Sequence, residues 1–169
     1  MDNFESTLDV SLPGDTANKP LLLLDIDGAL SPFIEPGEDG AEDLWWITEF
    51  EGVAPQLPSW LARLSQYFEL VWATSREDEA NEIIGPLLGL GPLRVVHFTR
   101  GGNDDTAKLS NVMEFVGTKP FAWVDDVFGD DAFYAAQRHV SDALLIHTGE
   151  LVGITHEHVD QLLAFGQRF

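Results

Sequence analysis

The 169-residue chain contains no cysteine and only nine basic residues, against 29 acidic ones. The absence of cysteine excludes disulfides and thiolate metal ligands, so any bound metal is expected to be a hard cation held by oxygen atoms. The formal net charge of −20 repels nucleic-acid phosphates and anionic membranes at long range. A polyanionic substrate would therefore need local cations or a metal ion in order to bind.

Long hydrophobic runs are also missing. The apolar segments are far shorter than a bilayer requires, and the chain does not open with a basic segment followed by an apolar one. We therefore expect a cytoplasmic protein without membrane contact. Residues 1–19 are rich in polar residues, proline and glycine and predict a disordered tail, whereas residues 20–169 predict a single domain.

Two acidic residues, Asp25 and Asp27, follow the uninterrupted apolar run 21–24. Such a run predicts a strand that is buried on both faces, as in a parallel sheet. Ligands bind beyond the carboxyl ends of parallel strands, and the two-residue spacing directs both carboxylates the same way. Gly28 permits a sharp turn or the close approach of a ligand. Function is therefore expected at this strand end.

Apolar segments and segments of helical spacing alternate along the rest of the chain. Further strands are predicted at 70–73, 93–98, 121–124 and 143–146, and helices at 60–68, 77–88, from 106, at 129–139 and after 155. We predict Ser59 and Thr155 as N-caps and expect Pro86 to kink or end its helix. The alternation predicts a three-layer α/β fold with a doubly wound parallel sheet.

Several side chains that could bind a metal ion or a phosphate lie at the predicted strand ends or helix starts. They are Asp25, Asp27, Thr74, Ser75, Lys108, Asp125 and Asp126. Four converging carboxylates would raise one another's pKa values, so we expect a cation among them. Oxygen donors favour Mg²⁺, which commonly binds through carboxylates together with a substrate phosphate. An aspartate can also attack phosphorus and form an aspartyl-phosphate that water later hydrolyses.

In their order along the chain, these motifs resemble the four motifs of the haloacid dehalogenase-like superfamily of phosphohydrolases. The segment Asp25-Ile26-Asp27-Gly28 resembles the first motif, Thr74 the second, Lys108 the third and the pair Asp125-Asp126 the fourth. Ala29 departs from the family pattern, which often has threonine or valine at this position.

The resemblance spans roughly residues 21–146. The segments 72–75, 79–81 and 123–126 also look like a small bacterial branch of the superfamily, whose members include haloacid dehalogenase-like domains associated with RNA-repair proteins.

The resemblance implies a role for each residue. Asp25 would be the nucleophile and a Mg²⁺ ligand, and Asp27 would be the acid/base residue and would give its backbone carbonyl to the metal. The pair Asp125-Asp126 would complete the metal shell, and the sequence leaves open which of the two binds directly. The substrate phosphate would be bound by hydroxyl and ammonium groups, those of Thr74, Ser75 and Lys108.

The insertions between the predicted strands are short, so we expect little or no cap and an open active site. In the superfamily, such a site usually goes with macromolecular or extended substrates. Trp45 and Trp46 could form a stacking platform for a base or ring. The favoured interpretation is that one tryptophan packs into the core and the other flanks it.

Each residue also has an ordinary interpretation. The pair Asp27-Gly28 alone predicts a turn and Asp125-Asp126 alone a helix cap, while Lys108 could be an exposed lysine. Lys119 competes for the phosphate-binding role, although it precedes a strand at the wrong end of the sheet. Arg76 and Arg100 could approach a phosphate near the same strand ends, but the favoured interpretation is that both are exposed, solvated arginines. His156 and His158 are also expected at the surface.

The leading hypothesis is a Mg²⁺-dependent phosphatase that forms an aspartyl-phosphate on a phosphorylated substrate of unknown identity. One alternative is a catalytically silent binding or regulatory protein with the same fold. Another is a phosphatase that acts on nucleic-acid ends. The net charge of −20 and the lack of a basic patch in the sequence disfavour this alternative.

Overall fold

The computed structural model describes residues 18–98 and 105–169. The predicted tail lies outside the described residues except for its last two, and Arg100 also lies outside them. Five strands form a parallel sheet: β1 (Leu21–Leu24), β4 (Glu69–Trp72), β5 (Arg94–Val95), β6 (Phe121–Asp125) and β7 (Ala143–His147). Their order is β5-β4-β1-β6-β7. A separate antiparallel hairpin consists of β2 (Trp45–Trp46) and β3 (Gly52–Val53).

The helices flank the sheet. They are α1 (Leu57–Leu64), a π-helix (Ala80–Ile84) that continues into the short α2 (Gly85–Leu87), α3 (Asp105–Val116), α4 (Asp130–Arg138) and α5 (His156–Gly166). A single 3-10 turn, Ala41–Asp43, precedes β2. Within the two described ranges, no helix is long and apolar enough to cross a membrane.

Strand β1 is the centre of the hydrophobic core, since all four of its leucines are at most 1% exposed. Leu22 and Leu24 belong to a cluster that includes residues of α1 and α5. Leu21 and Leu23 belong to a second cluster, which includes residues of α3. A parallel sheet with helices against it buries alternate residues in this way. The predicted α/β architecture with a parallel sheet is therefore confirmed.

The strand order creates a crevice between β1 and β6. From β1 the chain runs outward through β4 to β5 and then crosses back to β6 and β7 on the other side. Ligands of doubly wound proteins bind where the strand order reverses in this way. Leu24 pairs with Val124, and the Asp25 N–H donates to the Val124 carbonyl at 3.0 Å. The residues that follow β1 and β6 are therefore neighbours.

The start of α1 differs from the prediction. The helix begins behind Gln56 rather than Ser59, and it carries Pro58 in its first turn. Proline suits this position because its fixed φ is helical and its missing N–H would lack a partner there anyway. The helix ends at Leu64, so Tyr67 and Phe68 lie outside it.

The predicted helix 77–88 is also different, because its first part is a π-helix and the α-helical part covers only Gly85–Leu87. Pro86 lies in the first turn of α2. A proline cannot donate the backbone hydrogen bond that a continuous α-helix needs, so the hydrogen-bond pattern changes ahead of it. Strand β5 covers only two of the six residues predicted for it and lies at the edge of the sheet.

Neither tryptophan of β2 is a core residue. Trp45 is 41% exposed, and the half-buried Trp46 donates its indole N–H to the Ala41 carbonyl at 3.1 Å. The favoured interpretation of this pair, with one tryptophan in the core, was therefore wrong. The hairpin is too short to bury a large ring on both sides.

Thr155 caps α5 as predicted, but His158 takes part in the cap. The Thr155 N–H donates to His158 Nδ1 at 3.1 Å, and the His158 N–H donates to Thr155 Oγ1 at 3.3 Å. This reciprocal pair is a capping box in which histidine replaces the usual glutamate. Burial lowers the pKa of His158, which keeps the accepting nitrogen unprotonated. His158, which was expected at the surface, is half-buried.

Candidate functional site

Three carboxylates meet at the crevice between β1 and β6. Asp25 follows β1, Asp125 ends β6 and Asp126 follows it. One oxygen atom of each carboxylate lies within 4.8 Å of the other two. Asp25 is 6% exposed and Asp125 1% exposed, whereas Asp126 is half-buried. These three residues lie close together, as predicted.

Asp125 is held by donors on both carboxylate oxygens. Its Oδ2 atom accepts the indole N–H of Trp123 at 3.1 Å and lies 2.5 Å from Lys108 Nζ. Its Oδ1 atom accepts the backbone N–H of Val127 at 3.1 Å. A carboxylate this deeply buried needs such partners. Asp125 is therefore fixed in place by the protein itself.

Helix α3 brings Lys108 to the carboxylates. Its Nζ atom lies 3.5 Å from Asp25 Oδ1, and it is the only described cation within 4.0 Å of the cluster. Burial lowers the pKa of Lys108, but attraction to Asp25 and Asp125 more than compensates, so the pKa is raised. Lys119 lies instead 3.7 Å from Glu69, the first residue of β4 and thus at the opposite end of the sheet.

One ammonium group does not neutralise three carboxylates. Burial, followed by repulsion from Asp125, raises the pKa of Asp25 to about 8. The same two causes, in the same order, raise the pKa of Asp126. The ionised cluster would therefore be stabilised by a further cation.

Gly28 allows Asp126 to reach the cluster. Its φ of +78° is in the left-handed region, and a Cβ atom there would lie 2.5 Å from Asp126 Cγ and 2.9 Å from Phe33 Cε2. The turn is tied to the end of β7, since Thr148 Oγ1 donates to the Gly28 carbonyl at 3.1 Å and His147 Nε2 donates to the Asp126 carbonyl at 2.7 Å. A close approach to Gly28 was predicted for a ligand, and in the structure the carboxylate of Asp126 makes it.

The side chain of Asp27 does not belong to the three-carboxylate cluster. It accepts two hydrogen bonds from Arg76, from Nε at 3.0 Å and from Nη2 at 2.6 Å. Arg76 Nη2 also lies 2.7 Å from Glu51 Oε1. The hydrogen bond to Asp27 is the main reason that the pKa of Arg76 is raised above its ordinary value.

This contact was not predicted, and the expectation that Arg76 is a solvated arginine was wrong. Its side chain is only 20% exposed. Residue 76 is 49 positions away from Asp27 along the chain, so no local pattern joins the two. The one indirect signal is charge: a rare arginine in an acidic chain is expected to find carboxylates.

Thr74 and Ser75 follow β4, which lies beside β1. The Ala73 N–H donates to the Leu24 carbonyl at 2.8 Å, which brings Thr74 to the level of the turn after β1. Thr74 is fully buried, and its Oγ1 accepts the Arg76 N–H at 3.3 Å. Ser75 is exposed. Phosphate binding by these two hydroxyls stays a prediction.

No protein-family model matches the chain, and a search of curated proteins finds no match. The donor set of the cluster nevertheless limits its chemistry. The three groups that could bind a metal ion are carboxylates, with neither sulfur nor imidazole among them. Such oxygen donors with a net negative charge fit a hard divalent cation such as Mg²⁺.

Proposed function

We propose that this protein is a Mg²⁺-dependent phosphohydrolase of the haloacid dehalogenase-like type. The observation that carries the proposal is the convergence of Asp25, Asp125 and Asp126 beside the Lys108 ammonium. A divalent cation next to an ammonium group suits a phosphate ester, whose oxygen atoms need positive neighbours during phosphoryl transfer. The crevice between β1 and β6 is also the place where this class of sheet binds ligands.

We assign direct Mg²⁺ coordination to Asp25 and Asp126 and a supporting role to Asp125. The oxygen atoms of Asp125 already accept hydrogen bonds from Trp123 and Val127, while Lys108 lies against one of them. When bound, the ion would draw negative charge from the phosphate oxygens. The backbone carbonyl of Asp27, which the family resemblance implies as a ligand, remains part of this proposal.

Asp25 is the nucleophile in the proposed reaction. One of its carboxylate oxygens attacks phosphorus, the bond from phosphorus to the ester oxygen breaks, and Asp27 gives that oxygen a proton. Water then attacks phosphorus and Asp27 takes up a proton from the water. The bond from phosphorus to the Asp25 oxygen breaks, which releases inorganic phosphate and the free Asp25 carboxylate. Lys108 offsets the charge of the phosphate and of Asp25 throughout.

In this scheme the Asp27 side chain has two positions, one bound to Arg76 and one turned towards the leaving group. In one position, which the structure has, Arg76 holds the Asp27 carboxylate by two hydrogen bonds, and we assign the uptake of a proton from water to this position. Donation of a proton to the leaving group requires Asp27 to turn away from Arg76. We therefore propose Arg76 as a positioning residue for the acid/base step.

We also propose that the site is open, with little or no cap. The described segment between β1 and α1 holds only a 3-10 turn and the two-stranded hairpin, which supports this. An extended substrate could then reach Asp25.

The test is phosphate release from para-nitrophenyl phosphate with added Mg²⁺. Asp25→Asn keeps the size of the side chain but removes the nucleophile, so we expect turnover to fall by about a thousandfold or more. Mass spectrometry of acid-quenched wild-type protein should also find a phosphoryl group on residue 25. The control is Asp160→Asn, an exposed position on α5. Equal turnover in the wild type and Asp25→Asn would remove the proposal.

A catalytically silent metal-binding protein is the second candidate, and the contact between Asp27 and Arg76 favours it. Arg76 holds both oxygens of the Asp27 carboxylate, so this side chain is not free to reach a leaving group. Calorimetry that detects Mg²⁺ binding, without phosphate release from aryl phosphates or a phosphorylated oligonucleotide, would support this candidate.

A further inference from the structure

A cavity of about 670 Å³ lies beside the candidate site. One wall is the segment 31–38, another is the turn of the β2–β3 hairpin at 49–51, and Asp27 and Arg76 complete the lining. Ser31 Oγ donates to the Gly52 carbonyl at 3.0 Å and joins the two walls. Cavities of this size hold small organic ligands.

The cavity and the carboxylate cluster meet at Gly28. A Cβ atom on Gly28 would come within 2.9 Å of the Phe33 ring, which lines the cavity, and 2.5 Å of Asp126 Cγ, which belongs to the cluster. Asp27, two residues after Asp25, lies in the cavity wall. A phosphate ester with its phosphorus at Asp25 would therefore place its leaving group in this cavity.

The cavity carries a large excess of negative charge. Its lining includes five carboxylates against one cation: Asp27, Glu35, Glu38, Glu49, Glu51 and Arg76. Arg76 is already bound by the Asp27 and Glu51 carboxylates at 2.6 and 2.7 Å. Glu35, Glu38 and Glu49 are exposed and have no salt bridge among the described residues. An anionic leaving group would meet repulsion here, and the described lining holds no free cation to bind it.

Two aromatic rings are exposed in the same cavity. Phe33 is 51% exposed and Phe50 75% exposed, although both are large apolar side chains that folding would normally bury. An aromatic face attracts an organic cation through its quadrupole, and a carboxylate nearby adds to that attraction. The Glu38 carboxylate accepts the Glu35 backbone N–H at 2.7 Å, but none of the three exposed carboxylates has a salt bridge among the described residues. Together with the rings they fit an ammonium group on an apolar body.

We propose that this cavity binds the leaving group of the substrate and that this group is an organic ammonium with an aryl or alkyl body. The position of the phosphate in this assignment rests on the proposed function. The cationic part is bound by the exposed carboxylates and rings, and the phosphate by the metal site and Lys108.

Three phosphate esters of matched shape test the assignment. Tyramine O-phosphate carries an ammonium group, the O-phosphate of para-propylphenol has a methyl group at the same position, and the O-phosphate of para-hydroxyphenylpropionate has a carboxylate there. We expect kcat/KM to fall in this order, with at least about a tenfold difference between the first and the last.

A charge variant shows whether the cavity causes the ranking. The triple variant Glu35→Gln, Glu38→Gln and Glu49→Gln should reduce the difference between the cationic and anionic esters to about twofold. The matched control removes the same number of charges at exposed positions outside the cavity, with Glu82→Gln, Glu157→Gln and Asp160→Asn. The control should keep the wild-type ranking.

The outcomes separate this inference from the proposed function. Turnover of the neutral ester tests the proposed function alone, and a flat or reversed ranking among esters that are turned over overturns the cation site. If no ester is turned over, binding of tyramine itself decides. Tyramine should bind the wild type at least about fivefold more tightly than para-propylphenol does, and equal binding overturns the inference.

Discussion

The Nη2 atom of Arg76 lies 2.6 Å from Asp27 Oδ1, while its Nε atom lies 3.0 Å from Asp27 Oδ2. The planar guanidinium thus matches both oxygens of one carboxylate, which a lysine ammonium would not do. Because the same Nη2 atom also contacts Glu51, one cation joins the turn after β1, the turn after β4 and the hairpin turn. All three of these residues, Asp27, Glu51 and Arg76, line the cavity beside the candidate site.

Replacing Arg76 should therefore affect both stability and the acid/base step. In Arg76→Ala, the carboxylates of Asp27 and Glu51 lose their shared partner, and we expect the free energy of unfolding to fall by about 1–2 kcal/mol. Arg76→Lys should restore part of the stability but less of kcat, because it keeps the charge and loses the paired geometry. Urea unfolding and phosphate release measure the two effects. Arg63→Ala, at an exposed position on α1, is the control; unchanged kcat in Arg76→Ala would contradict the positioning role.

The raised pKa of Asp25 predicts how stability depends on pH. In the folded protein the pKa is about 8, above the ordinary value of 3.8, so the unfolded chain loses this proton first as the pH rises. The free energy of unfolding of the metal-free protein should then fall between about pH 5 and 8, by at most about 1.4 kcal/mol per pH unit. Asp25→Asn should flatten this slope.

Added Mg²⁺ should also flatten it, because the ion binds the ionised carboxylates of the folded state. Urea unfolding at a series of pH values, with a chelator or with Mg²⁺, measures these slopes. An equal slope in wild type and Asp25→Asn would mean that Asp25 ionises normally.

Gly28 and Gly89 form a matched pair for testing the close approach to Asp126. Their φ values are +78° and +76°, but a Cβ atom on Gly89 would have no neighbour within 4 Å. Gly89→Ala should cost about 1 kcal/mol for the left-handed backbone alone. Gly28→Ala should cost more and should also weaken Mg²⁺ binding, since Asp126 must move. Calorimetric titration with Mg²⁺ checks this, and equal Mg²⁺ affinity in the two variants would separate Gly28 from the metal site.

Lys108 and Lys119 form a second matched pair. Lys108→Gln leaves Asp25 and Asp125 without their cation, so we expect the metal-free protein to lose about 2 kcal/mol or more of stability. Phosphate release should fall by about a hundredfold, and added Mg²⁺ should restore stability more than activity. Lys119→Gln removes only a partly exposed pair with Glu69 and should change stability by less than about 0.5 kcal/mol. A larger loss of activity in Lys119→Gln would reverse the assignment.

Most of the fold could be predicted because the buried strands have a strong local signal. The four leucines of β1 and the apolar residues of β6 predict buried strands directly, and the acids that follow them therefore fall at one edge of the sheet. The capping residues that predict where a helix begins were less reliable. Ser59 matched a cap by composition, but Pro58 set the start of α1 one turn earlier.

The contacts around the site that could not be predicted depend on tertiary structure. Arg76 reaches Asp27 and Glu51 across 49 and 25 positions, and Thr148 reaches the Gly28 carbonyl across 120. Periodicity and capping patterns describe neighbours along the chain and carry no information on such pairs. The exposure of Phe33 and Phe50 could likewise not be predicted from the sequence, because an apolar residue is expected to be buried.

The pairing of β1 with β6 has a consequence for how the protein is made. Asp25 and Asp125 are about a hundred residues apart, so at about 5–20 residues per second their strands leave the ribosome on the order of ten seconds apart. During that interval the nascent chain carries Asp25 without Asp125 and Asp126. The proposed ion site is thus complete only at a late step of synthesis, and truncated chains that stop before β6 would lack two of its three carboxylates.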